Sequence, residues 1–282
     1  MLSSVWESVI TRAVKVLPNQ FITLIIRIIP PVLLAKLISS FSSLKTYPIS
    51  IFGIDFLLES GPRDDHYLDL EKNQIQQWEN EVLRIWKDEV TGAQIVIDVG
   101  AYLGIYSILA AKLGVTRVLA IEPNSNSAKQ LYRNLVMNSV VNSVEVLQVA
   151  VGATKKIVSV ISPRNRPYSS ATQIEDSPTS RKLKSWTHTN KIPMVTLDSI
   201  LSNSIQRVSA IKIDAEGYEY FILEGAVKIL GESSPALIIE ILTKTQKKEI
   251  DKFLSGFGYP SGLPIEISNT PTNYIYKVAQ SS

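Results

Sequence analysis

The stretch Ile95-Val-Ile-Asp-Val-Gly-Ala-Tyr-Leu-Gly-Ile-Tyr-Ser-Ile-Leu-Ala-Ala-Lys-Leu113 decides the fold. It begins as a β-branched apolar run, which predicts a buried parallel strand. The run stops at Asp98, and the chain then turns through Gly100 and Gly104 before apolar residues recur at helical spacing. A strand, a glycine turn and a helix in this order are typical of α/β sheets that offer backbone N–H groups and a close-approach loop to a nucleotide-like ligand.

Composition limits the function classes that this chain can belong to. Of its 282 residues, 45% are hydrophobic, which predicts a globular protein with a sizeable core. A net charge of +3 is too small to indicate nucleic-acid binding, so we expect no nucleic-acid partner. The absence of cysteine excludes disulfides, thiolate zinc sites and cysteine nucleophiles, and two histidines argue against a histidine-rich metal centre. The cytoplasm is the expected location.

The first 45 residues differ in charge from the rest of the chain. They carry five basic residues against the single acid Glu7, a local balance of +4, so the remainder is about neutral at −1. An apolar segment over residues 21–37 is interrupted by Arg27, Pro30-Pro31 and Lys36, whereas a membrane span needs about 20 uninterrupted apolar residues. Two interpretations stay open for residues 1–45: short helices packed on the domain, or a basic interfacial helix that makes peripheral membrane contact.

The order of the predicted elements indicates the architecture. Strands at 95–99, 117–123 and 144–151 alternate with helices, and the alternation resumes with strands at 208–214 and 236–242, a helix over 217–230 and a helix over 244–256. This alternation predicts a doubly wound α/β sheet of Rossmann type, with an antiparallel edge built from the tail. We therefore divide the chain into an N-terminal helical extension, residues 1–50, and one domain, residues 51–282.

Residues 152–195 break this rhythm. They are rich in Ser, Thr, Pro and basic residues, and short β-like pieces predict a hairpin excursion from the sheet rather than a linker. We expect this basic segment to lie over the substrate cleft, with Tyr168, Ser169 and Ser170 as candidate acceptor contacts. A solvated surface hairpin is the alternative.

The glycine turn favours a methyl donor over a dinucleotide. A dinucleotide fingerprint needs G-x-G-x-x-G, but Tyr102 stands where the middle glycine should be. Asp98, two residues before Gly100, would also repel a pyrophosphate. S-adenosylmethionine carries an ammonium and a sulfonium group and no phosphate, so an acid at this strand end suits it. Glu122 follows the second strand, 22 residues after Gly100, where a carboxylate can accept both ribose hydroxyls.

Three further acids are candidates for the chemistry. Asp214 closes a predicted strand, Glu216 begins the next turn, and Glu240 is an acid within an otherwise apolar strand. A buried acid is costly unless it is paired or functional. The alternative for Glu216 and for Glu219 is a purely structural role, because acids are stabilised at a helix N-terminus. His188 is a fourth candidate base, although a surface position in the basic segment is the simpler interpretation.

Together these pieces resemble the FkbM-type methyltransferases. The resemblance rests on Trp78-Glu79, Val96-Ile-Asp-Val-Gly-Ala-Tyr-Leu-Gly104, Ile121-Glu-Pro-Asn124, Val149-Ala-Val-Gly152, Ser169-Ser-Ala-Thr172, Val195-Thr-Leu-Asp198 and Ile211-Lys-Ile-Asp-Ala-Glu-Gly-Tyr-Glu219, in family order over about residues 75–245. It implies a class I S-adenosylmethionine-dependent fold and O-methylation of a hydroxyl on a sugar, glycolipid or natural product. One departure is Tyr102, where the family commonly has asparagine.

The strand-end and turn positions lead us to expect roles for individual residues. Donor contacts are expected at Asp98, Gly100, Ala101, Tyr102, Gly104, Glu122, Pro123, Asn124 and Ala150, and catalytic roles at Asp214, Glu240 and Glu216. Strand-end carboxylates could alternatively hold Mg²⁺, which we do not favour. The acceptor is expected to be a small molecule or glycan. Two other functions stay open: a nicotinamide-dependent oxidoreductase, and a non-catalytic binding module with the same fold.

Overall fold

A computed structural model of the protein describes residues 45–60, 75–163, 172–175, 177, 186–201, 207–265 and 272–279. The first half of the described chain contains β1 (Lys45–Ile51), β2 (Ile54–Ser60), α1 (Ile75–Val90), β3 (Ile95–Val99), α2 (Ile105–Lys112), β4 (Arg117–Ile121), α3 (Ser125–Met137), β5 (Val144–Leu147) and β6 (Ala150–Val151). The second half contains β7 (Lys156–Pro163), β8 (Gln173–Ile174), β9 (Trp186–Val195), α4 (Leu197–Ile200), β10 (Val208–Ile213), α5 (Glu219–Glu224), α6 (Val227–Ser233), β11 (Ala236–Glu240), α7 (Lys244–Ser255), β12 (Leu263–Pro264) and β13 (Asn273–Tyr276).

Seven strands form the central sheet in the order β12-β13-β11-β10-β3-β4-β5. The five strands from β11 to β5 run parallel, and β13 and β12 add the antiparallel edge. The predicted doubly wound α/β fold is therefore confirmed. The reversal of strand order lies between β3 and β10, which is where ligands bind in open α/β sheets.

Both faces of the central sheet are buried, as a parallel sheet requires. Alternate residues of β3 belong to different apolar clusters: Ile95, Ile97 and Val99 lie in one, and Val96 lies in the other. Asp98 alternates onto the same face as Val96, toward α2, and its side chain is fully buried. Period-two alternation thus places an acid beneath the glycine turn, inside the core.

The strand predicted over residues 144–151 is two strands in two sheets. β5 pairs with β4 in the central sheet, whereas β6 pairs with β9 in a second sheet of order β6-β9-β7-β8. β7 and β9 pair with each other and form the predicted hairpin excursion. The first strand of this second sheet, β6, comes from the end of the apolar run over residues 144–151. Periodicity cannot show where a continuous apolar run changes its partner.

The single helix predicted over residues 217–230 is also two elements. α5 ends at Glu224 and α6 starts at Val227, with Gly225 between them. At Gly225 the backbone lies so close to the second sheet that a Cβ atom would come within 2.2 Å of the Gly152 carbonyl oxygen. The helix is interrupted because the chain passes this contact.

The hairpin β1–β2 packs against α3 through side-chain amides. Asn138 accepts a hydrogen bond from the Leu57 N–H at 2.9 Å and donates to the Leu57 carbonyl at 2.6 Å, as a neighbouring strand would.

Because β1 starts at Lys45, the hairpin crosses the proposed boundary at residue 50. The rest of the predicted helical extension lies outside the described residues and stays a prediction. None of the described helices is long and apolar enough to cross a membrane.

Candidate active site

One pocket opens at the carboxyl ends of β3, β4 and β10, and most of the predicted site residues line it. From the donor set it contains Gly100, Ala101, Tyr102, Glu122, Pro123 and Ala150, and from the catalytic set Asp214, Glu216 and Glu240. Asp98, Gly104 and Asn124 lie outside its wall. The carboxyl ends of parallel strands meet at one edge, which is why residues distant in sequence come together here.

The glycine turn is shaped by close backbone contacts. Gly100 has φ +80°, and a Cβ atom on it would lie 1.8 Å from the Asp214 carbonyl oxygen. Gly104 has φ +89°, and a Cβ atom there would lie 2.3 Å from the side chain of Leu131. The close-approach loop expected from the sequence is present, but Gly100 approaches the neighbouring strand end.

The N–H groups of this turn are used within the protein. Gly100 and Ala101 both donate to the Ile121 carbonyl, at 2.9 and 3.1 Å, and Gly104 donates to Ala101 at 2.7 Å. Tyr102 donates to Glu122 Oε2 at 3.0 Å. The expectation that this loop offers its N–H groups to a ligand is therefore wrong for these four residues, because the carbonyl groups of Ile121 and Ala101 and the carboxylate of Glu122 accept their hydrogen bonds.

Glu122 is held from two sides. Its Oε1 accepts the Asn124 N–H at 2.8 Å, and its Oε2 accepts the Tyr102 N–H. Burial raises the pKa of Glu122 to about 7, against the effect of these two hydrogen bonds. Each oxygen keeps a second lone pair, so Glu122 can still accept two hydroxyl groups from a ligand in the pocket.

Asp98 and Asn124 support the site from outside the pocket wall. Ser107 donates to Asp98 Oδ2 at 2.6 Å, and burial raises the pKa of Asp98 although Lys212 opposes this shift. Asn124 caps α3 by accepting from Asn126 N–H at 2.9 Å, and its amide donates to Thr172 Oγ1 at 3.0 Å. Direct donor contact by Asp98, Gly104 or Asn124 stays a prediction.

Two pocket residues adopt left-handed backbone conformations. Tyr102 has φ 48° and Glu216 has φ 52°, a region that side-chain-bearing residues rarely occupy. Asparagine adopts this conformation more readily than tyrosine, which explains why asparagine suits position 102. After Glu216, the buried Glu219 carboxylate accepts the N–H groups of Ala215 and Gly217, both at 3.0 Å, and so fixes the turn that carries the acids.

The acids on β10 and β11 form a paired cluster. Glu240 hydrogen-bonds to Asp214, and burial followed by the charge of Asp214 raises the pKa of Glu240 strongly. Two carboxyl groups in hydrogen-bond contact share one proton, since both cannot ionise cheaply. Glu216 adds a further negative charge near this pair.

Lys212 and Tyr106 were missed as site residues by the sequence analysis. Lys212 lines the pocket, donates to Asp214 Oδ2 at 3.0 Å and lies 4.5 Å from the centre of the Tyr106 ring. A lysine within the apolar run of β10 was the signal that could have identified it, just as Glu240 was identified within β11.

Several other predicted site residues lie outside the part of the chain that the structure describes. Tyr168, Ser169, Ser170 and the side chain of His188 are outside the described residues, so their roles stay predictions. The described part of the basic excursion does reach the pocket, through Thr172, Gln173 and Ile174. Within the described ranges no group of three or more acids and histidines is arranged to hold a metal ion.

Known structures resemble this chain at low sequence identity. A methyltransferase FkbM from Methylobacillus flagellatus is 18% identical over 65% of this chain, with a TM-score of 0.45, and this chain spans only 43% of its length. An O-methyltransferase from Bacillus cereus in complex with S-adenosylhomocysteine is 16% identical over 72% of this chain and 81% of that one, with a TM-score of 0.43. A precorrin-6y C5,15-methyltransferase from Geobacter metallireducens is 15% identical over 71% and 88%, with a TM-score of 0.43.

The sequence itself identifies the family. No curated protein gives a significant match to the chain. The methyltransferase FkbM domain matches residues 98–261, more than half of the chain, and this range contains the glycine turn, Glu122 and the Asp214–Glu240 pair. The chain therefore belongs to the FkbM methyltransferase family.

Proposed function

We propose that this protein transfers the methyl group of S-adenosylmethionine to a hydroxyl group of a sugar, glycolipid or natural product. The observation that carries the proposal is a single pocket that brings together a buried carboxylate suited to ribose hydroxyls, Glu122, and two adjacent acids, Asp214 and Glu240. The first feature suits the donor, and the second suits an acceptor that must lose a proton.

The pocket fits the donor in charge. The part of its lining that the structure describes carries four carboxyl groups and one ammonium group, those of Glu122, Asp214, Glu216, Glu240 and Lys212. S-adenosylmethionine supplies an electrophilic methyl group on a cationic sulfur. Negative surroundings favour that cation, and Glu122 would hold the ribose hydroxyls.

The pocket also has a wall for a flat, uncharged base. Ile121, Ala150 and Ile174 are buried apolar residues of its lining, drawn from both sheets. Asn124 ties this wall together, because its hydrogen bond to Thr172 holds the segment before β8 against the start of α3. These residues would bind the adenine ring.

Asp214 is the base that the geometry favours. Its side chain is 31% exposed, so an acceptor hydroxyl can reach it, and it closes β10 beside Gly100. As the hydroxyl oxygen bonds to the methyl carbon, the bond between that carbon and the donor sulfur would break and leave neutral S-adenosylhomocysteine. The hydroxyl proton would pass to Asp214 and later to solvent. A positioned base contributes about 10²- to 10⁴-fold to such a step.

Calorimetry separates this proposal from a nicotinamide-dependent oxidoreductase. A pyrophosphate would meet the acids of the pocket, and the N–H groups of the glycine turn already have acceptors. We expect S-adenosylhomocysteine to bind and NAD to give no heat. Heat from NAD alone would overturn the proposed donor.

Labelled donor tests the transfer itself. Methyl-labelled S-adenosylmethionine is incubated with panels of glycans, glycolipids and hydroxylated natural products, and incorporation is measured. Once an acceptor is found, Asp214→Asn should lower turnover by about 10²-fold or more while S-adenosylhomocysteine still binds. Glu232→Gln, at an exposed acid outside the pocket, is the matched control and should keep full activity.

Two other results would contradict parts of this proposal. Full turnover by Asp214→Asn would remove it as the base. Donor binding with no transfer to any acceptor class would favour the non-catalytic binding module.

We also propose peripheral membrane contact through residues 1–45, on the basis of their charge and apolar content. The full chain should float with vesicles that contain phosphatidylserine. Replacing Arg12, Lys15, Arg27 and Lys36 by glutamine should reduce flotation, since each basic residue contributes about 1 kcal/mol at an anionic surface. Equal flotation of both proteins would refute an electrostatic contact.

A further inference from the structure

Lys212 is a buried cation whose surroundings are acidic. It lies in β10 with 3% of its side chain exposed, and burying an ammonium group costs several kcal/mol unless partners compensate. Its ammonium donates to Asp214 Oδ2 at 3.0 Å and packs on the face of the Tyr106 ring. These contacts hold the charge at one point of the pocket.

The register of the sheet places further acids around this cation. Lys212 is the direct partner of Asp98 on β3, and its charge lowers the pKa values of both Asp98 and Glu240 against the effect of burial. Among the described residues, the titratable groups that face this cluster come from β3, α2, β4, the turn after β10, and β11; they are Asp98, Tyr106, Glu122, Asp214, Glu216 and Glu240. Within this described set, these acids share the cation Lys212.

We propose that Lys212 is a positioning residue that keeps the negative charge of the Asp214–Glu240 pair on Asp214, so that Asp214 is the base and Glu240 carries the shared proton. This inference rests on the proposed function for its catalytic meaning. The direct contact of Lys212 is with Asp214, so the attraction between opposite charges is largest there.

The burial of Glu240 agrees with this assignment. Glu240 is the last residue of β11 and Asp214 follows the last residue of β10; both are half-buried and line the pocket. Burial is the largest cause that raises the pKa of Glu240, so a proton on Glu240 removes the charge that burial disfavours, and its hydrogen bond to Asp214 then points that proton at Asp214. The negative charge stays where an acceptor can reach it.

Carboxyl ¹³C NMR tests the inference without donor or acceptor. Protein labelled at Asp and Glu side chains is titrated, and Asp214→Asn and Glu240→Gln assign the two signals. In the wild type Asp214 should lose its proton first, and Glu240 should keep its proton above the ordinary range of glutamate. In Lys212→Met the midpoint of Asp214 should rise by about one to three pH units, and Lys212→Arg should restore most of that difference.

The experiment distinguishes failure of this inference from failure of the proposed function. Ionisation of Glu240 before Asp214 in the wild type would overturn the inference, even if Lys212→Met does not fold. A folded Lys212→Met protein with an unchanged Asp214 midpoint would also overturn it, because Lys212 would then have only a structural role. Failure of the wild type to bind S-adenosylhomocysteine would instead refute the proposed function and leave the titration order unaffected.

Discussion

Gly100 has no side chain because the backbone of the neighbouring strand end occupies the position of its Cβ atom. The 1.8 Å separation from the Asp214 carbonyl oxygen cannot be relieved by a rotamer change, since the obstructing atom is backbone. Gly100 therefore determines how closely the glycine turn approaches the residue that we propose as the base.

We predict that Gly100→Ala destabilises the protein much more than Gly114→Ala. Both glycines have positive φ, +80° and +90°, but a Cβ atom on Gly114 meets nothing within 4 Å. Gly114→Ala should cost about 1 kcal/mol from backbone strain, and Gly100→Ala at least about 2 kcal/mol more from the clash. Denaturant unfolding of both variants measures the difference. Equal losses would mean that β10 moves freely away from the turn.

Glu122 makes stability depend on pH. Its folded pKa of about 7 exceeds its ordinary value of 4.5, so the folded state binds more protons between these values and stability falls as pH rises through this window. This rise in the pKa of Glu122 corresponds to about 3 kcal/mol of unfolding free energy, at about 1.4 kcal/mol per pKa unit.

We predict that the difference in unfolding free energy between wild type and Glu122→Gln changes in favour of the variant from about pH 4.5 to 7. Glutamine carries no charge, so this pH-dependent cost is absent from the variant. Chemical unfolding at several pH values measures it, with Glu232→Gln, a substitution at an exposed acid, as the control variant. A flat difference for Glu122→Gln would show that this carboxyl group ionises at its ordinary pKa.

At the scale of elements, the interruption between α5 and α6 is set by a contact with the second sheet. Gly225 lies against the Gly152 carbonyl, whereas Gly231, within α6, is exposed and has open space where its Cβ atom would lie. The two glycines are six residues apart, and only one of them is required by packing.

We predict opposite effects from the same substitution at these two sites. Gly231→Ala should stabilise the protein by about 0.5–1 kcal/mol, because alanine is the better helix former. Gly225→Ala should destabilise it by about 1–3 kcal/mol, because the contact with Gly152 must open. Thermal unfolding of the two single variants tests this. Stabilisation by both would mean that the contact with Gly152 yields at little cost.

At the scale of the whole molecule, Asn134 connects the β1–β2 hairpin to the active-site turn. Its side-chain oxygen accepts the Glu59 N–H at 2.8 Å, and its nitrogen donates to the Leu103 carbonyl at 2.9 Å. Within the described residues, the side chain of Asn138, one helical turn later, hydrogen-bonds to Leu57 of the hairpin and to its own helix. Comparing substitutions of Asn134 and Asn138 can therefore distinguish the anchoring of the hairpin from the support of the pocket.

We predict that Asn134→Ala weakens both stability and donor binding, whereas Asn138→Ala weakens stability alone. Each backbone group left buried without a partner costs about 1–3 kcal/mol. Unfolding measurements should therefore show losses in both variants, and calorimetry with S-adenosylhomocysteine should show weaker binding only in Asn134→Ala. Equal donor affinity in the two variants would show that Leu103 keeps its position without Asn134.

Local patterns were enough to predict the doubly wound sheet, its antiparallel edge, the hairpin excursion and most of the pocket. Apolar runs, glycine positions and strand-end acids are properties of neighbouring residues, and the carboxyl ends of parallel strands meet at one edge. Glu122, Asp214 and Glu240 could thus be placed together before their contacts were known. The residues of the turn could be named for the same reason.

Contacts between distant segments were decided by the tertiary structure. The exit of the chain from the central sheet before β6 and the break at Gly225 depend on the second sheet, which periodicity does not describe. The use of the turn's N–H groups depends on the Ile121 carbonyl, and the role of Lys212 depends on its register with Asp98 and its distance from Asp214. Hydrogen bonds and charge interactions act over a few ångströms, so strand register and packing decide which partners meet.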